Sequence, residues 1–378
     1  MTGLLLHIGS PKAGSSAIQA SLAGCSHQLR ASTGLLVLPP NPYRRPMPSG
    51  FLAACYLPPE QLPRYLASRY RRDSAQFQQD IGCYQQLLAD LLRLGGRSHV
   101  EPWRARLQYL KAHLLGRAAQ PALLSSEFLL RLPSPKIKEL REWFTSLGVR
   151  RFRILVYVRD PVSAYGSFLQ QWLRLSDELQ PYNPWTWNYQ IRHYLEAWQS
   201  VFTPDEIVVR PFDRDQLVGG SVVPDFYDQC SNWFEMPIGG PEVKEVNQAL
   251  SIEALMLVQE LLKAVPKSRR LESAWMSDMA KFTRLLRTQS NGLPCSPVRL
   301  KPSVRRLVRE QHTGDLEWLE QHYGIALGSM ADADGAEPLP DWREVSRLDD
   351  LLELPEDPEL IDQLRRRQLE AVVREGLQ

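Results

Sequence analysis

The sequence predicts an α/β protein: a parallel β-sheet flanked by helices, with a helical insertion and a helical C-terminal part. Three observations carry this expectation. Five short runs are continuously apolar, as strands buried on both faces are. Helical patterns stand between several of them. Beyond about residue 240 the strand signal stops and only helical patterns follow.

The five runs are LLLHI (4–8), GLLVL (34–38), PALLS (121–125), FRILVYV (152–158) and EIVVRPF (206–212). The first passes through a glycine-containing turn into a helix beginning at residues 13–17. Residues 40–118 break the rhythm: a proline-rich PPNPYRRPMPSG precedes amphipathic stretches at 60–94 and 102–117, read as a helical insertion over the sheet edge. Ser134 as N-cap, Pro135 in the first turn and Gly148 as terminator frame the next helix. Asp160 and Pro161 have the form of a cap and first turn for another. WNYQIRHYLEAWQSVF (187–202) leads into the strand at 206. Helices are expected at 251–264, 271–288 and 302–322, then a polar linker at 327–341 and a charged surface helix from 357. The expected organisation is an α/β core over 1–235, interrupted by the insertion 40–118, and a helical extension over 236–378.

Composition narrows the function classes. The 378 residues carry a net charge of +2, so no global basic field points to nucleic acid and any anion site must be local. No apolar run reaches the 18 residues of a membrane span. The start, MTGLLLHIGSPKAG, lacks the basic leader of a signal peptide. Five scattered cysteines, never in C-x-x-C spacing, predict reduced thiols and a cytoplasmic protein. The seven histidines are dispersed, with no H-E-x-x-H, so no metal is expected.

Chemistry-bearing residues fall repeatedly at the carboxyl ends of the expected strands, where open α/β sheets bind ligands. The stretch HIGSPKAGSSAIQ (7–19) has Gly9 and Gly14 at phosphate-loop spacing, but no lysine follows Gly14; Lys12 lies inside the loop. A helix starting there aims unpaired N–H groups at one spot. Gly14 permits close backbone approach, Ser15 and Ser16 add hydroxyls, and Lys12 adds a mobile charge. A plain strand-to-helix turn with a solvated lysine fits the same residues. YVRDPVSAYGSFLQQ places Arg159 at a strand mouth and Ser167 eight residues on, two turns into a helix. That pair suits a second phosphate, while an ordinary salt bridge accounts for the arginine alone.

Together PKAGSS and RDPVSAYGS resemble the two nucleotide-binding elements of the sulfotransferases that use 3′-phosphoadenosine 5′-phosphosulfate (PAPS). The resemblance extends to their order and their separation by roughly 150 residues. SSEFL, the Tyr194/Trp198 helix, IVVRPFD and VNQALS are similar to the bacterial carbohydrate-sulfotransferase branch. The resemblance covers residues 1–235 and implies a P-loop-NTPase-like sheet. It implies PAPS as co-substrate without a metal, and an acceptor hydroxyl on a saccharide or glycan. Ala13 stands where the family often has threonine.

The resemblance also assigns roles. Lys12 acts on the bridge oxygen; Lys12, Ala13, Gly14, Ser15, Ser16 and Ala17 hold the 5′ end; Arg159 and Ser167 hold the 3′-phosphate. Glu127 stands where the family carries its catalytic base, and burial would raise its pKa towards neutrality. Capping the following segment is the other reading of Ser126-Glu127. His7 is the rival base, with a core role as its alternative. Asn247 and Ser251 fit either closure of the nucleotide site or a helix cap. Trp185, Trp187 and Trp198 fit stacking or, by default, core packing. Two other functions remain open at this level: a P-loop-type kinase using ATP, which would need a lysine after Gly14 and a strand-end magnesium ligand, and a non-catalytic nucleotide-binding protein.

Overall fold

The computed structural model describes residues 2–10, 12–38, 121–146, 148–241, 249–271, 275–328, 341, 343, 345–355 and 357–376. The insertion expected at 40–118 and most of the linker expected at 327–341 lie outside them. The chain forms two compact units. The first comprises Met1–Arg159, Gln190–Val246 and Trp318–Ile325; the second comprises Asp160–Tyr189, Asn247–Glu317 and Ala326–Gln378.

All five apolar runs of the first unit form strands: β1 (Thr2–His7), β2 (Leu36–Val37), β3 (Ala122–Ser125), β4 (Val149–Val158) and β5 (Ile207–Pro211). They build one all-parallel sheet in the order β2-β3-β1-β4-β5. The continuous hydrophobicity has its cause in burial on both faces: Leu4, Leu5 and Leu6 are all fully buried. On one face α1 (Ser15–Thr33) and α5 (Val222–Phe234) pack Ile18, Leu22 and Phe226 against Leu5, Leu123 and Leu155. α2 (Ser134–Ser146) buries Ile137, Leu140 and Phe144, and α4 (Ile191–Gln199) buries Leu195 and Trp198. Each such fully buried side chain contributes about 1.5–3 kcal/mol. Trp198 also donates its Nε1–H to the Leu130 carbonyl at 3.2 Å, which accounts for this tryptophan as core.

In the second unit α3 (Pro161–Leu173), α6 (Ile252–Ala264), α7 (Trp275–Ser290), α8 (Pro302–Gln311) and α10 (Glu359–Gly376) are the principal helices; α9 (Thr313–Tyr323) begins there. Their core joins Tyr165, Leu169, Leu255, Val258, Leu286 and Leu364. The caps read from sequence form here: Asp160 accepts from Ser163 N–H at 2.9 Å and Ser251 from Ala254 N–H at 3.2 Å. Three helix boundaries differ from expectation. Ser134 is the first helical residue, since Lys136 and Ile137 donate to the Pro133 carbonyl. The segment 187–202 turns helical only at Ile191, because Gln190 is left-handed (φ 53°). The helix expected at 302–322 breaks at His312, whose buried ring accepts from Tyr189 N–H at 3.0 Å and bonds the Val308 carbonyl at 2.7 Å. Among the described residues no helix is long and apolar enough to cross a membrane.

Candidate functional site

The sheet order brings three sequence-selected segments side by side. The chain leaves central β1 towards β2 and β3 on one side and later enters β4 on the other, so the switch point lies at the end of β1. The loop after β1 is therefore flanked by Ser126-Glu127 after β3 and by Arg159 after β4. Ladder bonds persist beyond the strands: Ser126 N–H donates to His7 O at 2.8 Å, Ile8 N–H to Leu155 O at 3.0 Å and Ser10 N–H to Tyr157 O at 3.2 Å. These bonds anchor the base of the loop to both neighbours.

The loop itself bends through left-handed residues. Lys12 has φ 66° and Gly14 φ 81°. Gly14 is the N-cap of α1, and a Cβ there would stand 2.6 Å from Val222 Cγ1 and 2.9 Å from Phe212 Cε2. Only glycine fits by both conformation and space. Lys12 adopts a left-handed conformation at a cost of about 1–2 kcal/mol, and Arg159 holds it there: its Nη1–H donates to the Lys12 carbonyl at 2.9 Å. The Arg159 guanidinium in turn lies 5.5 Å from the centre of the Phe212 ring.

The donors at the helix start can be counted. Ala13 donates its N–H to Ser10 O at 3.2 Å and buries its methyl in the core. Ala17 N–H donates to Gly14 O at 2.9 Å. Among the described residues no backbone carbonyl accepts from the N–H of Gly14, Ser15 or Ser16. Those three, with the Ser15 and Ser16 hydroxyls, are the anion-binding repertoire of this turn. Ser16 is exposed and Ser15 buried.

Glu127 opens a 3-10 turn (Glu127–Arg131) directly after β3. Burial raises its pKa above the ordinary carboxylate value; the Ser15 hydroxyl, Lys12 and Arg131 are close enough to oppose that rise. The Ser15 hydroxyl nevertheless makes no hydrogen bond of normal geometry among the described residues. His7 lies beneath the loop, fully buried, and burial pushes its pKa down to about 3, so the imidazole is neutral. Its Nδ1 bonds Ser125 Oγ at 2.8 Å, and its Nε2 has no partner among the described residues. Ser15 Oγ and His7 Nε2 meet beside Gly9, whose absent Cβ would stand 2.6 Å from the first and 3.0 Å from the second. His7 is thus fully buried, whereas Glu127 is half-buried with Lys12 nearby.

Arg210 closes a two-pronged pair with fully buried Asp225 (Nη2–Oδ1 2.5 Å, Nε–Oδ2 3.2 Å), and Tyr157 donates to the same carboxylate at 2.8 Å. Ser167 is half-buried on α3, in the second unit, and its hydroxyl makes no hydrogen bond among the described residues. Both Asp160 oxygens are engaged, one by Ser163 N–H and the other by Arg309 at 2.8 Å. Trp187 packs into the second unit's core and stacks on Tyr189 with ring centres 5.8 Å apart. Asn247 lies outside the described residues. Sequence reasoning missed Phe212 and Val222, which fill the space under Gly14; the only signal was the position of RPFD at a strand end.

Comparison with protein-family models and with curated proteins returned no match for this chain.

Proposed function

We propose that this protein is a sulfotransferase that moves a sulfuryl group from PAPS to an acceptor hydroxyl, with a saccharide or glycan as acceptor class. The observation that carries the reading is the grouping of Lys12 and Glu127 at the β1 switch point, with Arg159 clasping the turn that bears the lysine. The strand order, with β1 between β3 and β4, differs from the doubly wound 3-2-1-4-5-6 and 2-1-3-4-5 arrangements and supports a P-loop-like sheet.

The residues fit the donor chemically. Among the described residues no backbone carbonyl accepts from the N–H of Gly14, Ser15 or Ser16, and glycine is enforced where an anion must approach closely. Ser15 Oγ is a buried hydroxyl beside Glu127 that makes no hydrogen bond of normal geometry among the described residues. The bound donor supplies an activated sulfuryl group on a good leaving group. Glu127 takes the acceptor proton as the new O–S bond forms, and Lys12 stabilises charge on the bridge oxygen as the old S–O bond breaks. Arg159 supplies the bidentate cation for the 3′-phosphate, with Ser167 as the second donor implied by sequence. A kinase reading draws no support: both Asp160 oxygens are occupied, and no lysine follows Gly14.

Calorimetry with adenosine 3′,5′-bisphosphate, AMP and magnesium ATP tests the proposal before any acceptor is known. The bisphosphate is expected to bind on the order of a hundredfold more tightly than AMP, since two charge-assisted hydrogen bonds are each worth about 1.5–3 kcal/mol. Equal affinities, or a magnesium-dependent preference for ATP, would sink it. Transfer from radiolabelled donor to a panel of glycans, lipids and phenols then identifies the acceptor.

A further inference from the structure

A pocket open to solvent lies in the first unit, at the end of the sheet opposite the β1 loop. It holds about 250 Å³ between the start of β4 and the last turn of α5. The inner face of β4 carries Arg151 and Arg153 before Leu155 and Tyr157 take it into the core. The arginine pair departs from the apolar run of the rest of this strand; Arg151 is exposed and Arg153 half-buried. Their surroundings explain how they are accommodated. Arg151 stands in register with Gly3, and the Trp233 ring occupies the space a side chain at Gly3 would need: a Cβ there would lie 2.9 Å from Trp233 Cη2. The Arg151 guanidinium lies 5.6 Å from the centre of that same indole.

Arg153 is the less comfortable of the two. Its Nε is buried without a hydrogen-bond partner among the described residues. Burial and the Arg151 charge disfavour its charged form; Asp205 and Glu206 offset this in part. Glu206 is already committed to Arg141 at 3.2 Å and to Thr203 N–H at 2.9 Å. Among the described residues Glu235 is the carboxylate that lines the cavity, and Asp205 is near enough to act on Arg153. Gln229 and Asn232 also line the cavity, and Leu5 and Leu155 lie buried at its base.

We propose that this pocket is a binding site for a small organic carboxylate, its oxyanion on Arg151 and Arg153 and its body against Trp233. A guanidinium presents paired donors that match the geometry of a carboxylate. A buried donor left unpaired is costly, and a ligand that pairs it removes that cost. The cavity exceeds the roughly 30 Å³ share of one water severalfold, which suits an organic anion. The site is distinct from the switch-point loop. Arg159 lies six positions beyond Arg153 along the chain, roughly 20 Å at 3.3 Å per residue.

Benzoate and its neutral isostere benzamide test this on the full chain by calorimetry and thermal melting at constant ionic strength. Benzoate is expected to bind and raise Tm, benzamide to bind at least tenfold more weakly, and Arg153→Leu to abolish the difference. Arg151→Gln, a change at an exposed position, is expected to weaken benzoate at least fivefold with an unaltered circular dichroism spectrum, and it decides the matter if Arg153→Leu does not fold. Equal binding of benzoate and benzamide, no binding of benzoate, or benzoate affinity unchanged by Arg151→Gln would overturn the site.

Discussion

The Arg159 guanidinium donates to the Lys12 carbonyl at 2.9 Å, so the cation proposed for the 3′-phosphate also clamps the turn that carries the proposed catalytic lysine. The two roles predict two separable losses. Arg159→Ala is expected to reduce adenosine 3′,5′-bisphosphate affinity on the order of a hundredfold while leaving AMP within a few fold. Turnover at saturating donor is expected to fall as well, because the Lys12 turn loses its clamp. Arg159→Lys should rescue neither, since an ammonium cannot serve a carbonyl and a phosphate with paired donors. Calorimetry and single-turnover rates separate the two; full activity in Arg159→Lys would refute the bidentate role.

Lys12 combines a strained backbone with a useful charge, and substitution can split them. Lys12→Gly relieves the left-handed conformation while removing the ammonium, so Tm is expected to hold or rise as turnover disappears. Lys12→Ala is expected to lose turnover equally but without that relief, and so to melt below the glycine variant. Measurable transfer by either variant at the parent rate would take Lys12 out of the mechanism.

Why some of this could be read from sequence and some could not has physical causes. The strands were legible because burial on both faces leaves continuous apolar runs, as at Leu4, Leu5 and Leu6. Asp160 and Ser251 were legible because capping is a local bond, closed within three residues. The loop's glycines and Lys12 stood out by spacing. Their support was hidden: Phe212 and Val222 reach Gly14 from about two hundred residues away, and no local pattern encodes such a contact. The break at His312 was hidden too, since Tyr189 supplies its partner from far along the chain. The Arg151 and Arg153 pair was visible as letters, but its pocket depends on what α5 brings to it.

Glu127 gives a prediction with a definite sign. Burial raises its folded pKa, so stability from the protonated form is complete below the unfolded value and is lost as pH rises through the folded value. Glu127→Gln should therefore melt above the parent at neutral pH, with the gap closing on acidification towards the ordinary carboxylate range. The same substitution cannot accept a proton, and the transfer rate is expected to fall by roughly 10²–10⁴. Bisphosphate binding should be little changed. A variant that keeps parent activity would move the base elsewhere.

His7 predicts the opposite limb. Its folded pKa of about 3 lies below the ordinary 6.5, so its contribution is complete above 6.5 and is lost as pH falls towards 3. His7→Asn removes the titrating group. The Tm advantage of parent over variant should shrink between those limits in acid, read by melting at successive pH values. A constant difference across that range would mean that His7 titrates normally.

Gly14 tests the architecture of the turn. Alanine there faces two obstacles: a left-handed φ of 81° and a Cβ only 2.6 Å from Val222 Cγ1 and 2.9 Å from Phe212 Cε2. The first costs about 1–2 kcal/mol whatever the space. The second forces α5 or Phe212 to give way, and Phe212 is the ring beneath Arg159. Gly14→Ala is therefore expected to lower Tm and to weaken bisphosphate binding together. Adding Val222→Ala opens the nearer obstacle and leaves the conformational one. The double variant should recover part of the stability that additivity would deny it, a coupling readable from a double-mutant cycle. Strictly additive losses would mean that Gly14 and Val222 do not touch, and that the turn is built differently.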